Sequence, residues 1–224
     1  MFDRIKKGFM LAGYGLGFKS QILFAVMFMV FGFVMEFAKR GRNMLGGFYI
    51  VLAATFVLQL VISLNLSTMV QTSPYKRRIG TIIPILTSIP FLLFNYTVMI
   101  LIRLYYLYLD PEVAASTEQQ LQIKGGLVAI SVLLFVTSVY MGVCYKFFWT
   151  SFVFLVIVVY PISFASMTER FSGIVSAIPV GAIIAGGYLM ILVGQAVAYV
   201  LSVLFYKKEL SRTAFSAALK RNYR

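Results

Sequence analysis

Histidine is absent, cysteine occurs once, and only seven of 224 residues are acidic. Without histidine the chain lacks the side chain that most often serves as a general base or metal ligand near neutral pH. The lone thiol, Cys144, excludes an intrachain disulfide and a Cys/His zinc site. No pair of carboxylates falls inside an apolar run. No Ser or Thr has a plausible basic partner for nucleophilic chemistry. The chain is therefore not expected to be an enzyme, nor to carry a catalytic, metal or cofactor site of its own.

Charge is scarce as well. Charged residues make up 12% of the chain and hydrophobic ones 61%, whereas soluble domains carry about 25% charged residues. Six stretches have none: Gln21–Met35, Phe48–Leu66, Ile82–Ile102, Gly125–Tyr145, Phe147–Ser166 and Ala177–Tyr206. A helix rises 1.5 Å per residue, so roughly 20 apolar residues cross a hydrocarbon core of about 30 Å. Lipid cannot satisfy free backbone N–H and C=O groups, so each stretch is expected to be a helix. The expected fold is an all-α polytopic bundle of six spans over 21–206. It follows an interfacial segment over Met1–Ser20 and precedes a basic tail over 207–224. Lys6 and Lys7 precede only a glycine-broken stretch, so no cleavable leader is expected.

The formal charge of +13 suggests nucleic acid at first sight, but its distribution suits a membrane protein. With the N-terminus inside, fourteen of the twenty basic residues fall on the inner side, as the positive-inside rule requires. Five of the seven acids fall on the outer side. Both termini are expected in the cytoplasm, in a cell membrane of bacterial type. Lys39, Arg40 and Arg42 then form a basic cluster on the outer side. No nucleic-acid partner is expected; lipid is.

Polar residues within the runs are few. Thr55, Gln59, Ser63 and Ser67 recur at four-residue spacing and share one helix face. They serve either helix–helix hydrogen bonding or a substrate path. Thr87 and Asn95 extend the candidate path in the third run, where Pro84 and Pro90 each remove a backbone hydrogen bond. Glu36 and Arg103 sit towards span ends, which leaves no acid or base at mid-span to couple transport to an ion gradient. Asp110–Lys124 is expected as a polar external loop. Small residues at four-residue spacing in the sixth run, Gly181/Ala185, Ala182/Gly186 and Gly194/Ala198, suit close helix packing.

Between the second and third runs lies Thr72-Ser73-Pro74-Tyr75-Lys76-Arg77-Arg78. Thr72 or Ser73 can cap a short cytoplasmic helix, with Pro74 in its first turn. The alternative is a plain positive-inside anchor. Met167–Pro179 interrupts the apolar pattern between the fifth and sixth runs and suits a re-entrant or interfacial excursion.

This order of parts resembles the membrane subunit of a type 2 ABC exporter. The matching segments are Met1–Ser20, Thr72–Gly80 and Met167–Pro179. The phrase from Thr72 to Arg78, followed by Ile83-Pro84, is similar to the coupling region of small bacterial permeases. The resemblance implies a permease that pairs with an identical or related chain. It also implies separate ATP-binding subunits that hold the ATP and contact Pro74, Tyr75, Lys76, Arg77 and Arg78. A hydrophobic or amphipathic cargo is expected. The competing expectations are an ATP-independent channel or carrier, and a non-transporting scaffold or immunity protein.

Overall fold

The computed structural model describes residues 18–65, 72–144, 146–165, 169–208 and 216. The expected interfacial segment up to residue 17, the end of the 207–224 tail except residue 216, and Ser67 lie outside these residues. The described residues form eight helices and no strand. They are α1 (Phe18–Ala38), α2 (Leu45–Asn65), α3 (Lys76–Leu109), α4 (Pro111–Ala114), α5 (Thr117–Val143), α6 (Phe148–Ala165), α7 (Glu169–Ser176) and α8 (Val180–Leu204). Four of them, α1, α3, α5 and α8, are long and apolar enough to cross a bilayer. The outward faces agree. α1 exposes Leu23, Val30 and Val34, and α8 exposes Leu189, Val200 and Leu204. Ser88, Asn95, Ser138 and Gln195 are buried instead. Such a distribution fits a protein embedded in a bilayer.

α5 is the central helix. It packs most extensively on α8 and also touches α2, α3, α6 and α7. Close approach of α5 and α8 depends on small residues. A Cβ on Gly142 would stand 2.8 Å from the Ala198 carbonyl oxygen, and one on Gly194 would stand 3.0 Å from Ser138 Cβ. Hydrogen bonds cross the same seam. Gln195 Nε2 donates to Ser138 Oγ at 2.9 Å, and Ser88 Oγ on α3 donates to Gln195 Oε1 at 2.9 Å. The small residues nearer the start of α8 differ: a Cβ on Gly181 or Gly186 would meet nothing within 4 Å. α1 and α2 form a hairpin, with Gly32 close to the Gly46 carbonyl and Phe56 stacked on Phe24 and Phe28 at 5.5 Å between ring centres.

Three boundaries differ from the sequence-based expectation. α1 runs past the short charge-free run at both ends, because Lys19 is exposed at its start and Glu36 is paired inside the bundle. Asp110–Lys124 is mostly helical rather than a loop. The Asp110 carboxylate accepts from Glu112 N at 3.0 Å to start α4, and Ser116 Oγ accepts from Gln119 N at 3.4 Å to start α5. The residues are polar, but two N-caps in quick succession favour helix. Thirdly, Lys76 opens α3 itself, so the turn over Pro74–Tyr75 leads directly into the long helix. Tyr75 occupies the N-cap without a side-chain bond, while Ser73 Oγ accepts from Tyr75 N at 3.2 Å.

Gly142→Val should therefore weaken the α5–α8 seam by about 1–3 kcal/mol through overpacking. Gly186→Ala should leave stability unchanged or slightly raised, since Ala is the better helix former. Thermal unfolding of both variants in detergent micelles checks this; equal stability of the two would refute the seam.

Candidate functional site

The two ends of the bundle carry different chemistry. One end gathers the start of α3, the α5–α6 turn and the end of α8. Lys146 Nζ donates to the backbone carbonyls of Tyr206, at 3.3 Å, and Lys208. Lys208 Nζ lies 4.3 Å from the centre of the Phe147 ring, itself edge-to-face with Phe205. Burial, and then repulsion from Lys76, lowers the pKa of Lys146 below the ordinary lysine value. Pro74, Tyr75, Lys76, Arg77 and Arg78 are all exposed at this end, whereas Ile79 is buried and anchors the turn. The Thr81 hydroxyl donates back to the Arg77 carbonyl at 2.7 Å. The result is a basic, aromatic and exposed turn at the head of α3.

At the opposite end a charge pair is buried. Arg103 on α3 is 0% exposed and Glu36 on α1 is 1% exposed. Arg103 Nε donates to Glu36 Oε1. Its Nη1 donates to the Ile123 carbonyl at 3.1 Å and its Nη2 to the Asn43 carbonyl at 3.0 Å. One guanidinium thus joins α1, the α1–α2 turn and α5. Glycines make the room: a side chain on Gly126 would occupy the guanidinium's space, and one on Gly46 the Glu36 carboxylate's. Glu36 Oε2 has no partner among the described residues.

Beside this pair the α1–α2 turn closes in a Schellman-type cap. Gly41 N donates to the Glu36 carbonyl at 2.9 Å and Arg40 N to the Phe37 carbonyl at 3.1 Å. Arg40 takes φ +52°, a left-handed conformation usually left to glycine. Its side chain is held by Glu112 and, at 3.6 Å, by Asp110. A cavity of about 600 Å³ opens between this turn and the first turns of α4 and α5.

The candidate path residues are spread over two helices. Thr87 and Asn95 are buried on α3, and Thr55 is half-buried on α2. Each bonds a carbonyl of its own helix: Thr55 to Leu52 at 2.7 Å, Thr87 to Pro84 at 2.9 Å, Asn95 Nδ2 to Phe91 at 2.8 Å. The side-chain oxygen Oδ1 of Asn95 has no partner among the described residues. The side chains of Gln59 and Ser63 lie outside those described. Sequence reasoning missed the Glu36–Arg103 pair, although both residues were visible at span ends. The signal available was that each is a lone charge next to an apolar run. Comparison with known protein families, with curated proteins and with solved structures finds no match.

Replacing one member of a buried pair leaves an unpaired polar group. Glu36→Gln and Arg103→Met should each cost about 3–5 kcal/mol. The double variant should lose less than the two losses added. A double-mutant cycle of unfolding in micelles reads this directly, and strictly additive losses would deny the coupling.

Proposed function

We propose that this chain is the membrane-spanning permease subunit of an ATP-driven exporter of the type 2 ABC class. It works as a pair, with itself or a related chain, together with separate ATP-binding subunits that hydrolyse the ATP. One observation carries the reading: the exposed Tyr75–Arg78 turn is the head of α3, a helix of 34 residues. At 1.5 Å per residue it is about 51 Å long, roughly 20 Å longer than the hydrocarbon core. Force applied by a partner at that turn would travel along α3 to the buried pair at its other end. α2, with 21 residues, and α6, with 18, would complete six spans. α7 would be the short excursion between the last two. The cargo expected of such a bundle is hydrophobic or amphipathic, moving past Thr55, Gln59, Ser63, Thr87 and Asn95. A non-transporting scaffold is the second reading. It is favoured by the own-helix bonds of Thr55, Thr87 and Asn95, which suit packing as well as a path.

Orientation can be tested with an impermeant thiol reagent on intact cells, in a Cys144→Ser background. Ser116→Cys should label and Lys207→Cys should not; the reverse pattern would invert the assignment.

Double replacement Arg77→Glu/Arg78→Glu should sharply reduce co-purification of an ATPase, because rim charges steer docking and mismatched charges oppose it. Insertion must be verified in the same variant by the thiol assay. An ATPase that binds the correctly inserted variant as well as the wild type would remove these arginines from the contact. Absence of any ATPase from wild-type preparations from native membranes would sink the exporter reading.

A further inference from the structure

The cavity at the Arg103 end has an unbalanced charge. Lys39, Arg40 and Arg42 line it from the α1–α2 turn, and Glu112 lines it from α4. Arg40 is committed to Glu112 and Asp110. Lys39 and Arg42 have no carboxylate partner among the described residues, and Arg42 Nε is buried with no hydrogen-bond partner. Burying an unsatisfied guanidinium nitrogen is costly, so its position requires an acceptor. Asn43 is held in place, its Oδ1 accepting from Leu45 N at 3.2 Å and its carbonyl accepting from Arg103. Gly126 also lines the cavity, and the guanidinium of Arg103 fills the place its side chain would take.

The surroundings are interfacial. Tyr105 and Tyr108 are exposed on α3 and Phe37 on α1. Tyr106 packs edge-to-face on Phe37 and donates to its carbonyl at 3.1 Å. Aromatic residues of this kind mark the headgroup level of a bilayer. A cavity of about 600 Å³ falls in the range of small-molecule sites. Two unpaired bases in such a place match a phosphoester, whose oxygens accept several charge-assisted hydrogen bonds at once.

We propose that this cavity binds a phosphoester anion, with Lys39 and Arg42 as its counter-charges, and that the anion is the headgroup of a membrane lipid. The proposal does not depend on an ATPase partner and stands or falls apart from the exporter reading. The test is ligand retention by native mass spectrometry of the full chain purified in a neutral maltoside detergent. The probes are dioctanoyl phosphatidylglycerol, dioctanoylglycerol, glycerol 3-phosphate and inorganic phosphate. Phosphatidylglycerol should bind with one saturable site, at least tenfold more tightly than dioctanoylglycerol. Lys39→Gln/Arg42→Gln should weaken it at least tenfold, and Lys39→Arg, which keeps the charge, should retain the binding that Lys39→Gln loses. Lys39 is exposed, so Lys39→Gln alone keeps the test decisive should Arg42→Gln fail to fold. Glycerol 3-phosphate binding as tightly as the lipid would support the phosphoester site and assign it to a soluble ester. Equal binding of phosphatidylglycerol to the wild type and to a folded double variant would overturn the proposal. So would equal affinity for dioctanoylglycerol.

Discussion

The Arg103–Glu36 pair is the interaction on which the architecture of one end depends. A charge that is fully buried must be neutralised and its donors satisfied, or the bundle would not close around it. Arg103 meets that condition with one carboxylate and two backbone carbonyls, drawn from the end of α1, the α1–α2 turn and the start of α5. Each contact fixes an element that apolar packing alone would leave free to slide. Gly46 and Gly126 belong to the same constraint, since they are small because the charged groups fill the space beside them. The Schellman-type turn and the basic cavity lie directly against this cluster, so their geometry is inherited from it.

The rest of the bundle is held differently. In lipid there is little hydrophobic drive between helices, and packing plus modest hydrogen bonds must suffice. The α3–α5–α8 core does this with the buried chain Ser88–Gln195–Ser138 and with the contact of Ser131 and Tyr96 hydroxyls at 3.0 Å. Tyr96 in turn stands edge-to-face with Tyr188 and would collide with any side chain at Gly187. Polar groups therefore mark where helices meet, and they do so on the inside, with the apolar surface turned outward.

The helical elements were legible because absence of charge over a span's length has a single structural solution in lipid. The ends were less so. Glu36 reads as a span boundary on hydropathy, yet α1 continues past it because a residue 67 positions away neutralises it. Asp110–Lys124 reads as loop on polarity, although Asp110-Pro111 and Ser116 are cap signals that local inspection could have weighed more heavily. The small-residue pairs of the last run illustrate a third limit. Spacing alone predicts a close contact at Gly194/Ala198 and equally at Gly181/Ala185 and Ala182/Gly186, but Gly194 and Ala198 face α5 whereas Gly181 and Gly186 face open space. Which face a helix turns to its neighbour is settled by partners distant in sequence. The basic turn at Tyr75–Arg78 was visible as a charged, proline-led segment. Its continuity with a 34-residue helix was not, because the charged Lys76–Arg78 reads on hydropathy as a segment apart from the apolar run that begins at Ile82.

The separation of Glu36 from Arg103 also bears on how the chain is made. At a synthesis rate of about 5–20 residues per second, the 67 residues between them take roughly 3–13 s to emerge. During that interval α1 and α2 have left the ribosome, with a carboxylate whose counter-ion does not yet exist. That acid has no guanidinium to pair with until α3 arrives. Ile123, the last of the acceptors, comes a further twenty residues later. The full set of contacts at this end therefore requires α5 and cannot be complete with the first helix alone.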